Sequence, residues 1–287
     1  MHQYVLGLYE KSMPDELSIR EKLEETGAGG FDFLELSIDE TDRKLSRLSW
    51  SPQERRTIQR AMWETGVPIR SICLSGHRKY PLGHPEAAVR SRSLAIMESA
   101  IGLACDLGVR IIQLAGYDIY YGESTAQTRG YFDENLRKCV DMAAREGVIL
   151  AFETMETVFM NTVAKAMDWV TKVNSPYLQV YPDAGNITNA ALSRGLSVTE
   201  DLRSGRGHIA ALHLKETRPG VFREVPYGLG HVDFKAVTAC AMDLGVRRYL
   251  AEFWYDGTDT WRDTLRGNAS FLRHYLDGEA DIGCWKN

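Results

Sequence analysis

Eight short apolar runs alternate with helix-forming segments from one end of the chain to the other, which predicts a single (β/α)8 TIM barrel of the α/β class. A second observation agrees. Glu153, Asp183, His213 and Glu252 each stand at or just past the end of one of these runs, in VILAFE, LQVYPD, IAALHL and YLAEFW. They are spaced 30, 30 and 39 residues apart, room for one strand and one crossover per interval. Third, the 287 residues contain no long Gly/Ser/Pro linker and no low-complexity stretch, so residues 1–287 read as one domain. In such a barrel the C-terminal ends of the strands converge on one mouth, the face that carries the active site.

Each element has a local signal. QYVLGLYE is the first strand, with a helix expected over about 15–26. FDFLELS is the second, an apolar run punctuated by carboxylates, followed by a long polar loop. That loop ends at Ser51-Pro52, where the hydroxyl can cap free N–H groups and proline suits the first helical turn. The helix so started runs to about residue 65 and stops at Gly66. VPIRSICLSG leads through HRKYPLGHP into a helix over about 85–107, closed by Gly108. VRIIQLAG, a helix over about 125–146 closed by Gly147, and VILAFETM continue the rhythm. A helix over about 163–173, the strands LQVYPD, HIAALHLKET and RRYLAEFW, and helices near 233–244 and 260–276 complete it.

Composition narrows the function classes. A formal charge of −5 and a pI near 5.9 argue against a nucleic-acid partner, whose electrostatic footprint is usually basic. Five cysteines (Cys73, Cys105, Cys139, Cys240 and Cys284) form an odd set with no CxxC spacing and read as reduced thiols. The N-terminus lacks the basic start and long apolar core of a signal peptide. No apolar stretch approaches the roughly 20 residues that cross a bilayer. A cytoplasmic protein without a membrane partner is expected. Gly27-Ala28-Gly29-Gly30 has no following Lys-Ser/Thr, and Gly228-Leu229-Gly230 lacks the rest of a dinucleotide fingerprint, so neither is assigned a nucleotide.

Taken singly, each of the four strand-end ligands has a bland reading. A carboxylate there caps the next helix or pairs with a nearby base, and a lone histidine is more often structural. Their coincidence on strands five to eight is harder to ascribe to structure, because buried carboxylates without compensation are costly. A divalent cation supplies that compensation, and two Glu, one Asp and one His suit Mn²⁺, Mg²⁺, Co²⁺ or Zn²⁺. Such a centre keeps positions for substrate oxygens. On a ketose, the C2 carbonyl and C3 hydroxyl could chelate it, which makes the C3 proton acidic and stabilises a cis-enediolate. Glu153 and Glu252, on strands five and eight, are expected to face each other across the mouth as an acid–base pair. Asp183 and His213 are then pure ligands. His208, five residues before His213, falls near the start of the same strand and at the wrong end of the barrel.

Beyond these residues, VILAFETME, QVYPDAGNI, HIAALHLKETRPGVF, VPYGLGHVDF and YLAEFW resemble segments of the bacterial L-ribulose-5-phosphate 3-epimerases of L-ascorbate utilisation. These are also called L-xylulose-5-phosphate 3-epimerases or hexulose-6-phosphate isomerase-like proteins. LGLYEK, FDFLELSIDETDRKLSRLSW, CLSGHRKYPLG and VRIIQLAGYDIYY are similar too, so the likeness spans nearly the whole chain. It lies within the xylose isomerase-like barrels, which include the ketose 3-epimerases. The resemblance implies a metal held by Glu153, Asp183, His213 and Glu252, with the two glutamates exchanging the C3 proton of a pentulose phosphate. It also implies an isomerase with a small sugar phosphate as partner, and a homodimer as one expected assembly. The segment at about 277–287, DGEADIGCWKN, has no counterpart there and reads as an extra tail.

A phosphorylated substrate needs cationic or N–H donors at the strand ends. Candidates are His77, Arg78 and Lys79 after strand three, Lys215 and Arg218 after strand seven, and Lys11 after strand one. Solvated loop charge is the competing reading for most of them. The trio 77–79 follows a strand end directly, and Lys215, two residues past His213, shares its face. Glu156 and Asn186 read as sugar-hydroxyl binders or helix caps, and Tyr9, Tyr117 and Trp254 as cavity walls or core. Rival activities are an unphosphorylated ketose epimerase and an aldose–ketose isomerase. Further away stand a metal-dependent endonuclease, which would want more histidines and a basic face, and a non-catalytic sugar-binding barrel.

Overall fold

Successive side chains on a strand point to opposite faces, so strand register decides which residues enter a barrel and which face its helices. The structure, a computed structural model, describes residues 3–278. Its strands are β1 (Val5–Tyr9), β2 (Phe33–Ser37), β3 (Ile69–Leu74), β4 (Ile111–Ala115), β5 (Ile149–Glu153), β6 (Leu178–Tyr181), β7 (Leu212–Leu214) and β8 (Arg248–Ala251). They form one eight-stranded parallel sheet in the order β6-β5-β4-β3-β2-β1-β8-β7. β6 and β7 share no continuous ladder. That seam is closed by the isolated bridges Val180–Ile209 and Asp183–His213, with Ala210 N donating to Val180 O and His213 N to Pro182 O, both at 2.9 Å. The expected barrel is therefore present. The tail read at about 277–287, with Cys284, lies outside the described residues after Gly278.

The helices are α1 (Ile19–Ala28), α2 (Asp42–Leu45), α3 (Pro52–Thr65), α4 (Ala87–Leu107), α5 (Ala126–Glu146), α6 (Val163–Val173), α7 (Ala184–Arg194), α8 (Val198–Ser204), α9 (Phe234–Asp243) and α10 (Trp261–Leu276). α3 begins where Ser51-Pro52 predicts, with a reciprocal Ser51–Glu54 capping box, and Gly66 ends it at φ 71°. α1 starts later than expected because the capping box belongs to Ser18 and Glu21.

The polar loop expected after β2 is instead partly helical. It folds because its cations are buried: Lys44 and Arg47, with Lys22, donate to the fully buried Glu10 at 2.5–2.9 Å. Burial opposes charge on Glu10, yet Arg47, Lys22 and Lys44 outweigh it and hold the carboxyl well below its ordinary range. α7 and α8 fill the β6–β7 interval, for which no helix is expected from the sequence.

Outward strand residues such as Leu34, Leu36, Leu150, Phe152 and Leu214 build the layer under the helices. Inward ones, Phe33, Cys73, Ile111, Ala151, Tyr181, Ala211 and Leu250, form a separate cluster inside the barrel. Gly7 makes that interior possible, since a Cβ there would lie 2.3 Å from the Phe33 ring. One step further along the inward register stand Glu35, Gln113, Glu153, Asp183, His213 and Glu252. The apolar floor thus gives way to a polar layer at the C-terminal mouth.

Candidate metal centre

Glu153 ends β5, Asp183 lies two residues past β6, His213 is the middle residue of β7, and Glu252 follows β8 directly. All four are buried, and one ligand atom from each lies within 4.8 Å of the others. His213 Nδ1 sits 3.3 Å from Glu153 Oε1, 3.3 Å from Glu252 Oε2 and 3.9 Å from Asp183 Oδ2. The two glutamates thus approach the same ring nitrogen from strands three apart.

Three of the four ligands are held from behind. The other ring nitrogen of His213, Nε2, lies 3.1 Å from Glu35 Oε1. Nε2 is thereby committed to Glu35, and Nδ1 is the ring nitrogen that faces the cluster, where it can ligate a cation once its own proton is displaced. Glu35 Oε2 in turn accepts from Ser71 Oγ at 2.6 Å and Tyr181 OH at 3.1 Å. Gln113 Nε2 donates to Glu153 Oε2. Asp183 Oδ1 accepts from Asn186 N at 2.6 Å as the N-cap of α7, and Thr154 Oγ1 accepts from Asp183 N at 2.9 Å.

The inner oxygens are left open. Asp183 Oδ2 and Glu252 Oε2 are buried and receive no hydrogen bond, although the Lys215 ammonium lies 3.2 and 3.4 Å away. Buried oxygens without a hydrogen bond beside an imidazole nitrogen fit a divalent cation, and an all-O/N donor set suits a hard or borderline one. Burial and then the Glu252 charge raise the Glu153 pKa. For Glu252 burial works the same way, but Lys215 and His213 outweigh it and hold the carboxyl well below its usual range. Glu252 and Glu35 likewise overcome burial and raise His213 well above the ordinary imidazole range. Asp183 is raised, by burial first.

The remaining sequence candidates divide sharply. The cavity above the cluster is lined by Glu153, Lys215 and Glu252 together with Arg78, Arg223, Lys11, Tyr9 and Trp254. Glu156 and Asn186 also line it. Glu156 Oε1 accepts from Tyr120 OH, while Asn186 is engaged by Asp183 and by the Thr154 carbonyl. Lys215 lies against the ligand cluster, 3.2 Å from Asp183 Oδ2 and 3.4 Å from Glu252 Oε2.

The structure does not bring His77, Lys79 or Arg218 to this space. His77 is buried under α4, with Nε2 3.2 Å from Ser93 O. Lys79 is half exposed near Asp42, and Arg218 Nε donates to Leu229 O at 2.8 Å. Tyr117 is core. His208 lies at the opposite end of the barrel, beside Gln179. Glu35, Gln113 and Arg223 escape the sequence reading; for the first two, inward parity on a buried strand was the available signal.

Fold and site together define a parallel barrel able to hold a divalent cation at its catalytic face. The family model described as Xylose isomerase-like TIM barrel matches residues 23–275. The chain is also 45% identical, over 253 residues covering 88% of each chain, to the L-ribulose-5-phosphate 3-epimerases UlaE of Shigella boydii serotype 18 and Escherichia coli O157:H7. The chain belongs to the xylose isomerase-like TIM barrel family and, within it, to the group of these L-ribulose-5-phosphate 3-epimerases. Among solved structures, a D-psicose 3-epimerase from Clostridium cellulolyticum H10 bound to D-tagatose superposes with a TM-score of 0.79 at 17% identity, covering 95% of this chain and 99% of that one. An L-ribulose 3-epimerase gives 0.74 at 18%, covering 96% and 95%. At such identities the likeness is one of fold. Among the described residues, no helix is long and apolar enough to cross a membrane.

Proposed function

We propose that the chain interconverts L-ribulose 5-phosphate and L-xylulose 5-phosphate by inverting C3. The observation that carries this reading is the pair Glu153 and Glu252, both 3.3 Å from His213 Nδ1 yet borne on strands three apart, in a chain 45% identical to named 3-epimerases of this sugar phosphate. Glu153, Asp183, His213 and Glu252 would hold a divalent cation, which when bound would polarise a C2 carbonyl and so acidify the C3 proton.

The protein's own groups do the rest. One glutamate removes the C3 proton from its face of the substrate, leaving a cis-enediolate. The other delivers a proton to C3 from the opposite face, so configuration inverts with no net gain or loss of protons or electrons. Gln113 and the Glu35–His213 contact fix the carboxylate and imidazole orientations. Tyr9 and Trp254, packed edge to face at 6.2 Å, wall the cavity against water. The native metal is one of Mn²⁺, Mg²⁺, Co²⁺ or Zn²⁺. The cytoplasmic role in L-ascorbate utilisation that the resemblance implies belongs to the same proposal.

The test is solvent exchange. Enzyme with Mn²⁺ or Zn²⁺ and L-ribulose 5-phosphate in D₂O should incorporate deuterium at C3 and yield the epimer. Failure of exchange with every candidate metal would remove the proton-transfer mechanism, and a carbonyl moved to C1 would mark an aldose–ketose isomerase.

A further inference from the structure

A cavity of about 760 Å³ opens at the end of the barrel opposite the metal-type cluster. Its wall runs from the last turns of α3 and α4 to the first residues of β3, β4, β5 and β8. Ile149, in that wall, begins the strand that Glu153 ends, and Arg248 precedes Glu252 by four residues, so roughly 13 Å of strand lies between the two sites. Ala151 and Leu250, midway along those strands, belong to the buried cluster that fills the barrel between them.

Arg70, Arg110 and Arg248 all line this cavity, and no aspartate or glutamate does. All three are exposed, and among the described residues none of their side chains makes a hydrogen bond or an ion pair. Helix ends offer such charges a structural use, since the last carbonyls of a helix accept from nearby cations. α3 and α4 end beside this cavity at Gly66 and Gly108, yet none of the three arginines donates there, and Gly108 N itself donates to Cys105 O at 3.1 Å. Three like charges are thus gathered without a counter-charge in a chain whose formal charge is −5. Trp63, on the last turn of α3, lines the same space and is 87% exposed. An indole left in water offers a flat apolar face on which another ring can stack.

We propose that this cavity binds a polyanion carrying a flat ring, the chemistry of a nucleoside di- or triphosphate. Arg70, Arg110 and Arg248 take the phosphates, and Trp63 takes the ring. Guanidinium forks accept phosphate oxygens in pairs, and three of them exceed what one carboxylate or one phosphate monoester offsets. The site shares no residue with the cavity above the metal-type cluster, so it stands apart from the sugar-phosphate reading.

Equilibrium dialysis of the full chain at low ionic strength, with ADP, pyrophosphate and adenosine as probes, tests the assignment. ADP should bind at one site per chain, more tightly than pyrophosphate and far more tightly than adenosine, and should weaken as salt rises. Arg70→Gln, Arg110→Gln and Arg248→Gln should each lose about 10- to 100-fold in affinity, the worth of a charge-assisted hydrogen bond. Trp63→Ala should bring ADP down to the level of pyrophosphate. Arg223→Gln, at the opposite mouth, is the control and should bind ADP as the wild type does. All five side chains are exposed, so the variants keep the barrel. Absence of ADP binding would overturn the proposal, as would a loss in Arg223→Gln with none in the other arginine variants. Equal affinity of the wild type for ADP and pyrophosphate would remove the ring, and with it the ligand class. A wild-type dimer that Trp63→Ala makes monomeric, with no ADP bound, would instead make this face a contact between two copies of the chain.

Discussion

His213 Nε2 lies 3.1 Å from Glu35 Oε1, so the one imidazole in the metal-type cluster is oriented by a carboxylate from β2, on the far side of the barrel. A carboxylate behind a ligating histidine fixes its tautomer and raises its basicity, and losing such a partner typically costs 10- to 100-fold in metal affinity. Glu35→Gln should weaken Mn²⁺ or Zn²⁺ binding by about that factor, measured by competition with a chelator of known affinity. An unchanged affinity would reduce Glu35 to a filler of the barrel interior.

Glu153→Gln and Glu252→Gln remove one oxygen base each while keeping nearly the same shape. Each should retain the fold and lose about 10²- to 10⁴-fold in C3 exchange, the usual contribution of a positioned acid or base. The readout is deuterium incorporation under saturating metal. Wild-type exchange in either variant would exclude that residue from the pair.

Lys215 lies 3.2 Å from Asp183 Oδ2 and 3.4 Å from Glu252 Oε2, with all three side chains buried. Deleting one member of a buried charge cluster costs about 3–5 kcal/mol, because the remaining charge stays uncompensated. Lys215→Met should therefore destabilise the protein strongly in chelator and far less in saturating Mn²⁺, whose charge replaces the ammonium. Thermal unfolding in the two buffers makes the comparison. Equal losses would mean that the ammonium does not balance the carboxylates.

His77 supplies the pH test. Burial lowers its pKa from 6.5 to about 4. Between those values the unfolded chain takes up a proton that the folded state refuses, so stability falls as pH drops from 6.5 towards 4 and this contribution levels off below. At about 1.4 kcal/mol per unit the full effect is roughly 3 kcal/mol. The stability difference between wild type and His77→Gln, from urea unfolding at several pH values, should shrink by that order across the window. A constant difference would show that His77 does not titrate differently on folding.

The four ligands were legible because strand-end placement needs only the strand rhythm, which survives errors of a residue or two at each boundary. Glu35 and Gln113 were not, because assigning them to the interior needs the parity of each buried strand, and the strand centres FLEL and IIQLA are apolar on both faces apart from those residues. α2 was hidden for a different reason. Lys44 and Arg47 read as solvated charge until Glu10, more than thirty residues earlier, is seen to bury them. α7 is N-capped by Asp183, so one residue serves as helix cap and metal-type ligand together. Arg223 sits on a long loop with no periodic signal, whereas His77 and Lys79 followed a strand end and yet point elsewhere. Position along the chain locates the mouth of a barrel better than it locates the loops that overhang it.

The β6–β7 seam has a further consequence. It is the one joint in the barrel held by isolated bridges where every other pair of neighbours has a ladder, and one of its two bridges joins Asp183 to His213. A cation shared by these residues would act as a rivet across the loosest edge of the cylinder, drawing its two free margins together from the inside. Loading the centre would then fasten the scaffold as well as arm it, and the amides of 180–183 and 209–213 are where that tightening should register first in hydrogen exchange.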